Sequence, residues 1–152
     1  MAKILFVNGS PNRHGNTTEM ARRLIGESIY DTLNLIDYKI FPLGQSFPDD
    51  QFDSVMNKMA WADVLVMGSP VYWHSMTGQF RTLLDRIYES PLRGSLSGKS
   101  LIFIFQGAGP SHEMLAAGDY TMKIFCRLFR LNYLGMVSSL SEAEHLRKKL
   151  NF

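Results

Sequence analysis

A chain of 152 residues is the size of one ordinary domain, and 45% hydrophobic with 20% charged residues gives it the material for a packed core rather than a disordered tail. Sixteen Lys and Arg against fourteen Asp and Glu leave a formal charge of +2, too even for a nucleic-acid binder, which needs a concentrated basic face. A single cysteine, Cys126, excludes an intramolecular disulfide, and without a CxxC or Cys/His cluster a structural metal site is excluded too.

The first apolar run, Ile4 to Val7, breaks at Asn8-Gly9-Ser10-Pro11. It is far too short for a signal core or a spanning helix and reads as a buried first strand, so the expectation is a soluble, cytoplasmic chain without membrane association. Ala21, Leu24, Ile25 and Ile29 then recur at helical spacing. Leu35 to Ile40 alternates apolar and polar residues, as a second strand with one wetter side does. Phe52, Val55, Met56 and Met59 mark a short second helix, and Val64 to Met67 a third strand. Phe80, Leu83, Leu84, Ile87 and Tyr88 give the third helix, and Leu101 to Phe105 the most apolar strand. After a fourth helix, Tyr133 to Val137 is a weaker fifth strand. Ser141-Glu142-Ala143-Glu144 reads as a capping box opening a last helix that carries Leu146 and Leu150.

Strands apolar at every position, alternating strictly with helices, predict a single α/β domain over residues 1–152 with a parallel sheet covered on both faces. Ligands of such sheets bind beyond the carboxyl ends of the strands, so the loops after strands one, three and four are the candidates. The first, Asn8 to Glu19, runs from strand to helix and is built of glycines, hydroxyls and amides with Arg13. A helix N-terminus surrounded by short polar side chains suits a phosphate, whereas the plainer alternative has Asn16 capping the helix with Glu19.

Four other patterns fail, two on spacing and two on missing residues. Gly98-Lys99-Ser100 ends like a P-loop but has Arg93 where the earlier glycine belongs and precedes a strand. Gly107-Ala108-Gly109 has His112 at the third glycine position of a dinucleotide fingerprint. The first loop has no cysteine for a phosphatase nucleophile, and the ends of strands one and three lack the acidic residues of a receiver domain.

The loop after strand three, Gly68 to Phe80, offers Tyr72 and Trp73 behind Pro70, flat apolar surface beside backbone N–H groups. His74 in the same loop reads as a hydrogen-bonding residue. The loop after strand four, Gln106 to Glu113, lets backbone approach a ligand closely at Gly107 and Gly109. A phosphate socket, an aromatic slot and a close backbone wall on one sheet edge describe a site for flavin mononucleotide (FMN).

At these residues the chain resembles the flavodoxin-like NAD(P)H-dependent FMN reductases and quinone reductases. The resemblance runs from Lys3 to about Val137 and rests on two blocks. One is Gly9-Ser10-Pro11 with Gly15-Asn16-Thr17; the other runs from Ala62-Asp63-Val64 through Gly68-Ser69-Pro70-Val71-Tyr72-Trp73 to Leu84-Asp85-Arg86. It implies a flavodoxin-like, doubly wound, five-stranded parallel sheet of order 2-1-3-4-5 with FMN at the switch point. Ser10, Asn12, Gly15, Asn16 and Thr17 would surround the phosphate; Pro70, Val71, Tyr72, Trp73 and His74 with Gly107, Ala108 and Gly109 would surround the ring. The family often has arginine directly after Ser-Pro, where this chain has Asn12 and then Arg13, so either side chain is a candidate for the phosphate. Relatives with an iron–sulfur cluster carry a cysteine-rich loop after strand two; Phe41 to Pro48 here has no cysteine.

The implied reaction takes hydride from NAD(P)H, a transient co-substrate, and passes electrons by a ping-pong scheme to a quinone, nitro compound or free flavin. The flavin carries the chemistry and no side chain is assigned as a catalyst; loop N–H groups would stabilise charge on the reduced ring. Two rivals are a flavodoxin-type electron carrier, which is usually strongly acidic, and a flavin-free binding module on the same fold. The acceptor, and the choice between NADH and NADPH, have no sequence signature.

The fourth helix shows an apolar arc of roughly 240°, against about 100° for a typical surface helix, through Tyr120, Met122, Ile124, Phe125, Cys126, Leu128 and Phe129. The surplus predicts a homodimer face, or else a groove covered by the last helix.

Overall fold

The computed structural model describes residues 1–151. Its elements alternate as expected: β1 (Ile4–Asn8), α1 (Asn16–Ile25), β2 (Tyr30–Asn34), α2 (Phe52–Trp61), β3 (Val64–Pro70), α3 (Gly78–Glu89), β4 (Ser100–Gln106), α4 (His112–Phe129), β5 (Asn132–Val137) and α5 (Leu140–Leu150). The strands form one five-stranded sheet in the order β2-β1-β3-β4-β5, every pair parallel. β1 and β3 are buried at every position because both sides carry helices. Alternate residues divide the core. Ile4, Phe6, Val66 and Ile104 pack under α1 and α5, while Leu5, Val7, Leu65 and Phe103 pack under α2, α3 and α4.

Four sequence expectations need correction. β2 is Tyr30–Asn34, and the expected strand at Leu35–Ile40 is instead a 3-10 turn over Leu35–Asp37 followed by irregular chain. As an edge strand bonded to β1 alone, β2 buries only Leu33, so its own sequence is largely polar. Ile29 lies beyond α1, 81% exposed, because Gly26 at φ 69° ends the helix. Tyr88 lies on the outer side of α3, exposed. The cap of α5 is Ser139, whose Oγ accepts from the Glu142 N–H (3.2 Å) while the Glu142 carboxylate accepts from the Ser138 N–H (2.6 Å).

Candidate functional site

The loops after β1, β3 and β4 meet at one edge of the sheet, and a band of buried polar side chains ties them together. Asn8, Ser10, Thr17, Ser69, Thr77 and Gln106 are all buried there. Leaving such groups unpaired would cost about 1–3 kcal/mol each, so their bonds fix the geometry. The Thr77 hydroxyl donates to the Gly9 carbonyl (2.6 Å), and the Thr77 N–H donates to Ser69 Oγ (3.0 Å). The Gly9 N–H donates to the Gly68 carbonyl at 2.7 Å. Gln106 joins all three loops: its Nε2 donates to Thr17 Oγ1 (3.1 Å), its backbone carbonyl accepts from the Val71 N–H (2.7 Å), and Gly107 follows it.

Asn8, the last residue of β1, shapes the first loop. Its Nδ2 donates to Asn34 Oδ1 (3.0 Å) and to the Asn12 carbonyl (3.2 Å), and its Oδ1 accepts from the Ser10 N–H (3.0 Å). Ser10 Oγ then accepts from the Asn12 N–H (3.1 Å), and the Thr18 hydroxyl holds the Arg13 carbonyl (2.8 Å). Into this wrapped loop opens the N-terminus of α1. Its cap is Gly15, which offers no side chain, whereas Thr77, Ser111 and Ser139 each close the first turn of α3, α4 and α5. Asn16 is therefore the first helical residue and not the cap, and Glu19 pairs with Arg22 (2.7 Å) instead of closing a capping box. The first turn of α1 keeps its N–H donors and partial positive charge for a ligand.

The expected phosphate residues occupy different depths. Ser10 is buried at the base of the loop, Asn12 and Asn16 are exposed at its rim, and Gly15 lies against Asn12, 3.1 Å from a would-be Cβ. Thr17 is turned inward, its methyl packed so tightly on Gly68 that a Cβ there would sit 2.6 Å from it. The Arg13 guanidinium is bound by Asp37 in the turn after β2, which pushes its pKa up through the shared hydrogen bond and charge.

The loop after β3 is a tight hairpin. The Tyr72 N–H donates to the Ser75 carbonyl (2.9 Å) and the Ser75 N–H to the Tyr72 carbonyl (3.1 Å). Between them Trp73 (φ 49°) and His74 (φ 63°) both adopt left-handed backbone, a conformation that two-residue turns usually assign to Asn and Gly. Each such residue costs about 1–2 kcal/mol, and Trp73 stands out in solvent at 95% exposure. Beside it runs a cleft of about 280 Å³, with Val71, Trp73 and His74 on one wall and Gly107, Ala108, Gly109, Pro110 and Met114 on the other. A Cβ on Gly107 would come 3.2 Å from Val71 Cβ, so the glycine keeps that wall thin. Pro70 ends β3 in the interior, and Tyr72 stands outside the cleft lining. A larger cavity, about 600 Å³, lies away from these loops between the ends of α3 and α4 and takes no part in this constellation.

Asn8, Gln106 and Met114 escaped sequence reasoning. The first two stand in the sequence only as the opening residues of their loops, and nothing there marks Met114. Among the described residues no group of three or more His, Cys, Asp or Glu is placed to hold a metal, and no helix is long and apolar enough to cross a membrane. The uncapped α1 terminus and the thin-walled cleft fit a phosphate joined to a planar ring system.

The sequence profile of the NADPH-dependent FMN reductases matches residues 2–145. An iron-sulfur flavoprotein of Methanocaldococcus jannaschii is 32% identical over 105 residues, 60% of this chain and 53% of its own length. One from Archaeoglobus fulgidus is 24% identical over 137 residues, 80% of this chain and 62% of its own. The chain thus spans little more than half the length of these relatives. In fold it is similar to the Trp repressor binding protein of Bacillus subtilis, with a TM-score of 0.79, 18% identity and coverage of 95% and 97% of the two chains. With the profile matched over nearly its whole length, the chain belongs to the NADPH-dependent FMN reductase family.

Proposed function

We propose that residues 1–152 act as one flavodoxin-like unit that binds FMN, oxidises NAD(P)H and reduces a small-molecule acceptor, a quinone, nitro compound or free flavin, by a ping-pong scheme. The observation that carries this reading is the uncapped N-terminus of α1 opening into the Asn8-organised loop, on the same sheet edge as the glycine-walled cleft. When bound, FMN supplies the chemistry, accepting a hydride and returning electrons to the acceptor.

The chain's own residues bind, orient and shield. The first-turn N–H groups of α1 with the Ser10 hydroxyl meet the phosphate, and the Asn12 and Asn16 amides reach it from the rim. Asn12 is the side-chain donor here because Arg13 is bound by Asp37. Thr17 serves from beneath by fixing α1 to Gln106. Val71 and the Gly107–Gly109 backbone flank the ring, Pro70 stiffens the approach to that loop, and the Tyr72–His74 hairpin forms its outer rim. An open rim gives the nicotinamide and the acceptor the same place in turn, which is the physical basis for ping-pong kinetics. The formal charge of +2 favours this reading over an acidic electron carrier.

The reductase acts as a homodimer in the cytoplasm, where a single buried thiol and no disulfide suit a reducing environment. Initial velocities measured against NADPH at several fixed quinone concentrations test the scheme. Parallel double-reciprocal lines support it. Intersecting lines refute ping-pong, and no turnover with any of the three acceptor classes refutes the reductase reading.

A further inference from the structure

α3 and α4 run back from the carboxyl ends of β3 and β4, so the cavity of about 600 Å³ at their ends lies at the opposite edge of the sheet from the flavin cleft. Tyr88 and Arg93 line it after α3, Ser97 on the connection into β4, and Leu128, Phe129 and Arg130 at the end of α4. Two arginines thus share one cavity. Among the described residues no acidic side chain lines it, and neither arginine makes an ion pair. Lys99, the cation that gives Gly98-Lys99-Ser100 its likeness to a P-loop, is engaged elsewhere, donating to the Ala60 carbonyl (2.7 Å).

Helix C-termini carry partial negative charge, and a cation beside one can be a cap and nothing more. Arg93 fills part of that role, its Nη1 donating to the Tyr88 carbonyl (2.7 Å). Arg130 exceeds it. It closes α4 with left-handed backbone, φ 58°, a position that glycine occupies without strain. The backbone turn therefore does not explain the arginine side chain. The Arg130 carbonyl accepts from the Gly98 N–H (2.9 Å), which ties the end of α4 to the connection that carries Arg93 and Ser97.

We propose that this cavity binds a purine nucleoside monophosphate, with its phosphate between Arg93 and Arg130 and its base along Tyr88 and Leu128. Two guanidinium groups match the charge of a phosphate monoester and the paired geometry of its oxygens, and the Ser97 hydroxyl adds a donor. Tyr88 is 55% exposed and offers a ring face on which a base can stack. The volume falls within the roughly 300–1,000 Å³ of small-molecule sites and has room for base and ribose as well as phosphate. A neutral nucleoside would leave both cations uncompensated. The site stands independently of the flavin chemistry.

Isothermal titration calorimetry of the full chain with AMP and with GMP tests it, with FMN in excess to occupy the loops after β1, β3 and β4. At least one of the two nucleotides binds at one equivalent, and inorganic phosphate and the matching nucleoside bind at least about tenfold more weakly. Arg130→Gly removes the cation and the backbone strain together, so nucleotide affinity falls about 10–100-fold while the melting temperature holds or rises. Arg93→Met produces a similar loss without touching that backbone. Neither variant changes FMN affinity, which the same samples report separately. No saturable binding of either nucleotide below about 1 mM overturns the proposal. Nucleotide affinity unchanged in either arginine variant overturns it as well, and phosphate bound as tightly as the nucleotides overturns the base contact.

Discussion

Replacing Gly68 with alanine perturbs the contact that positions the first turn of α1, where the phosphate is proposed to bind. The new Cβ would lie 2.6 Å from Thr17 Cγ2 and 3.2 Å from Phe6 Cε2, whereas ordinary contact begins near 3.4 Å, so Thr17 must retreat by about 0.8 Å. It has nowhere to go alone: the side chain is β-branched, buried, and bonded to Gln106. The strain therefore passes to the first turn of α1. Overpacking of this kind costs about 1–3 kcal/mol, set against about 0.5–1 kcal/mol gained by removing a strand glycine. The net expectation is about 1–2 kcal/mol of lost stability, with FMN affinity lowered about tenfold as the N–H donors shift. Urea denaturation and fluorescence titration with FMN measure the two effects. Adding Thr17→Ser deletes the clashing methyl, and most of both losses should return despite the modest cost of that deletion alone. Gly68→Ala with unchanged stability, or a double variant in which the losses merely add, would refute the packing argument.

Other perturbations probe separate parts of the account. Asn8→Ala removes the amide that links β2, Ser10 and Asn12; FMN affinity should fall about 10–100-fold with riboflavin affinity changed far less, as paired titrations would show. His74→Gly relieves one left-handed residue and should raise stability by about 1 kcal/mol in thermal unfolding while lowering turnover, because the loosened hairpin no longer holds Trp73 in place. Burial pushes the Cys126 thiol up to about 12 from an ordinary 9.0, so above pH 9 the unfolded state releases a proton that the folded state keeps. The stability linked to it is complete below pH 9.0 and is lost as pH rises toward 12; Cys126→Ala should flatten that alkaline decline in urea titrations at stepped pH. Burial and the Asp119 carboxylate raise the Tyr133 hydroxyl in the same direction, leaving a residual slope in that variant.

The central strands and the three loops were legible because burial on both faces and glycine-rich breaks leave strong marks in sequence. The sheet edge was not. Tyr30–Asn34 is polar because a strand with one neighbour and a wet side needs only Leu33 inside, whereas Leu35 is buried from a turn and mimics a strand residue. Gly26 stopped α1 where apolar spacing alone ran on to Ile29, and Ser139 with Glu142 outcompeted a capping pattern placed two residues later. The loop residues Ser10, Trp73 and Gly107 stood out by type, since hydroxyls, aromatics and glycines after strands signal a ligand edge, whereas Val71 entered only through the family resemblance. The bonds that organise them were hidden. No spacing rule reveals that Asn8 reaches Asn34 or that Gln106 reaches Thr17, because both contacts join residues distant in sequence. The strain at Trp73 and His74 was equally invisible, as nothing in those residue types calls for left-handed backbone.

The central claim is that the α1 terminus and the adjoining cleft hold FMN in position for reduction by NAD(P)H. An anaerobic titration of the FMN-loaded chain with NADPH, and separately NADH, followed by visible absorbance, tests it most directly. The account predicts that FMN is retained through desalting and that its absorbance bleaches at one equivalent of a reduced nicotinamide, returning when a quinone is added. A chain that retains FMN but leaves it oxidised under both nicotinamides, or one that retains no flavin, contradicts it.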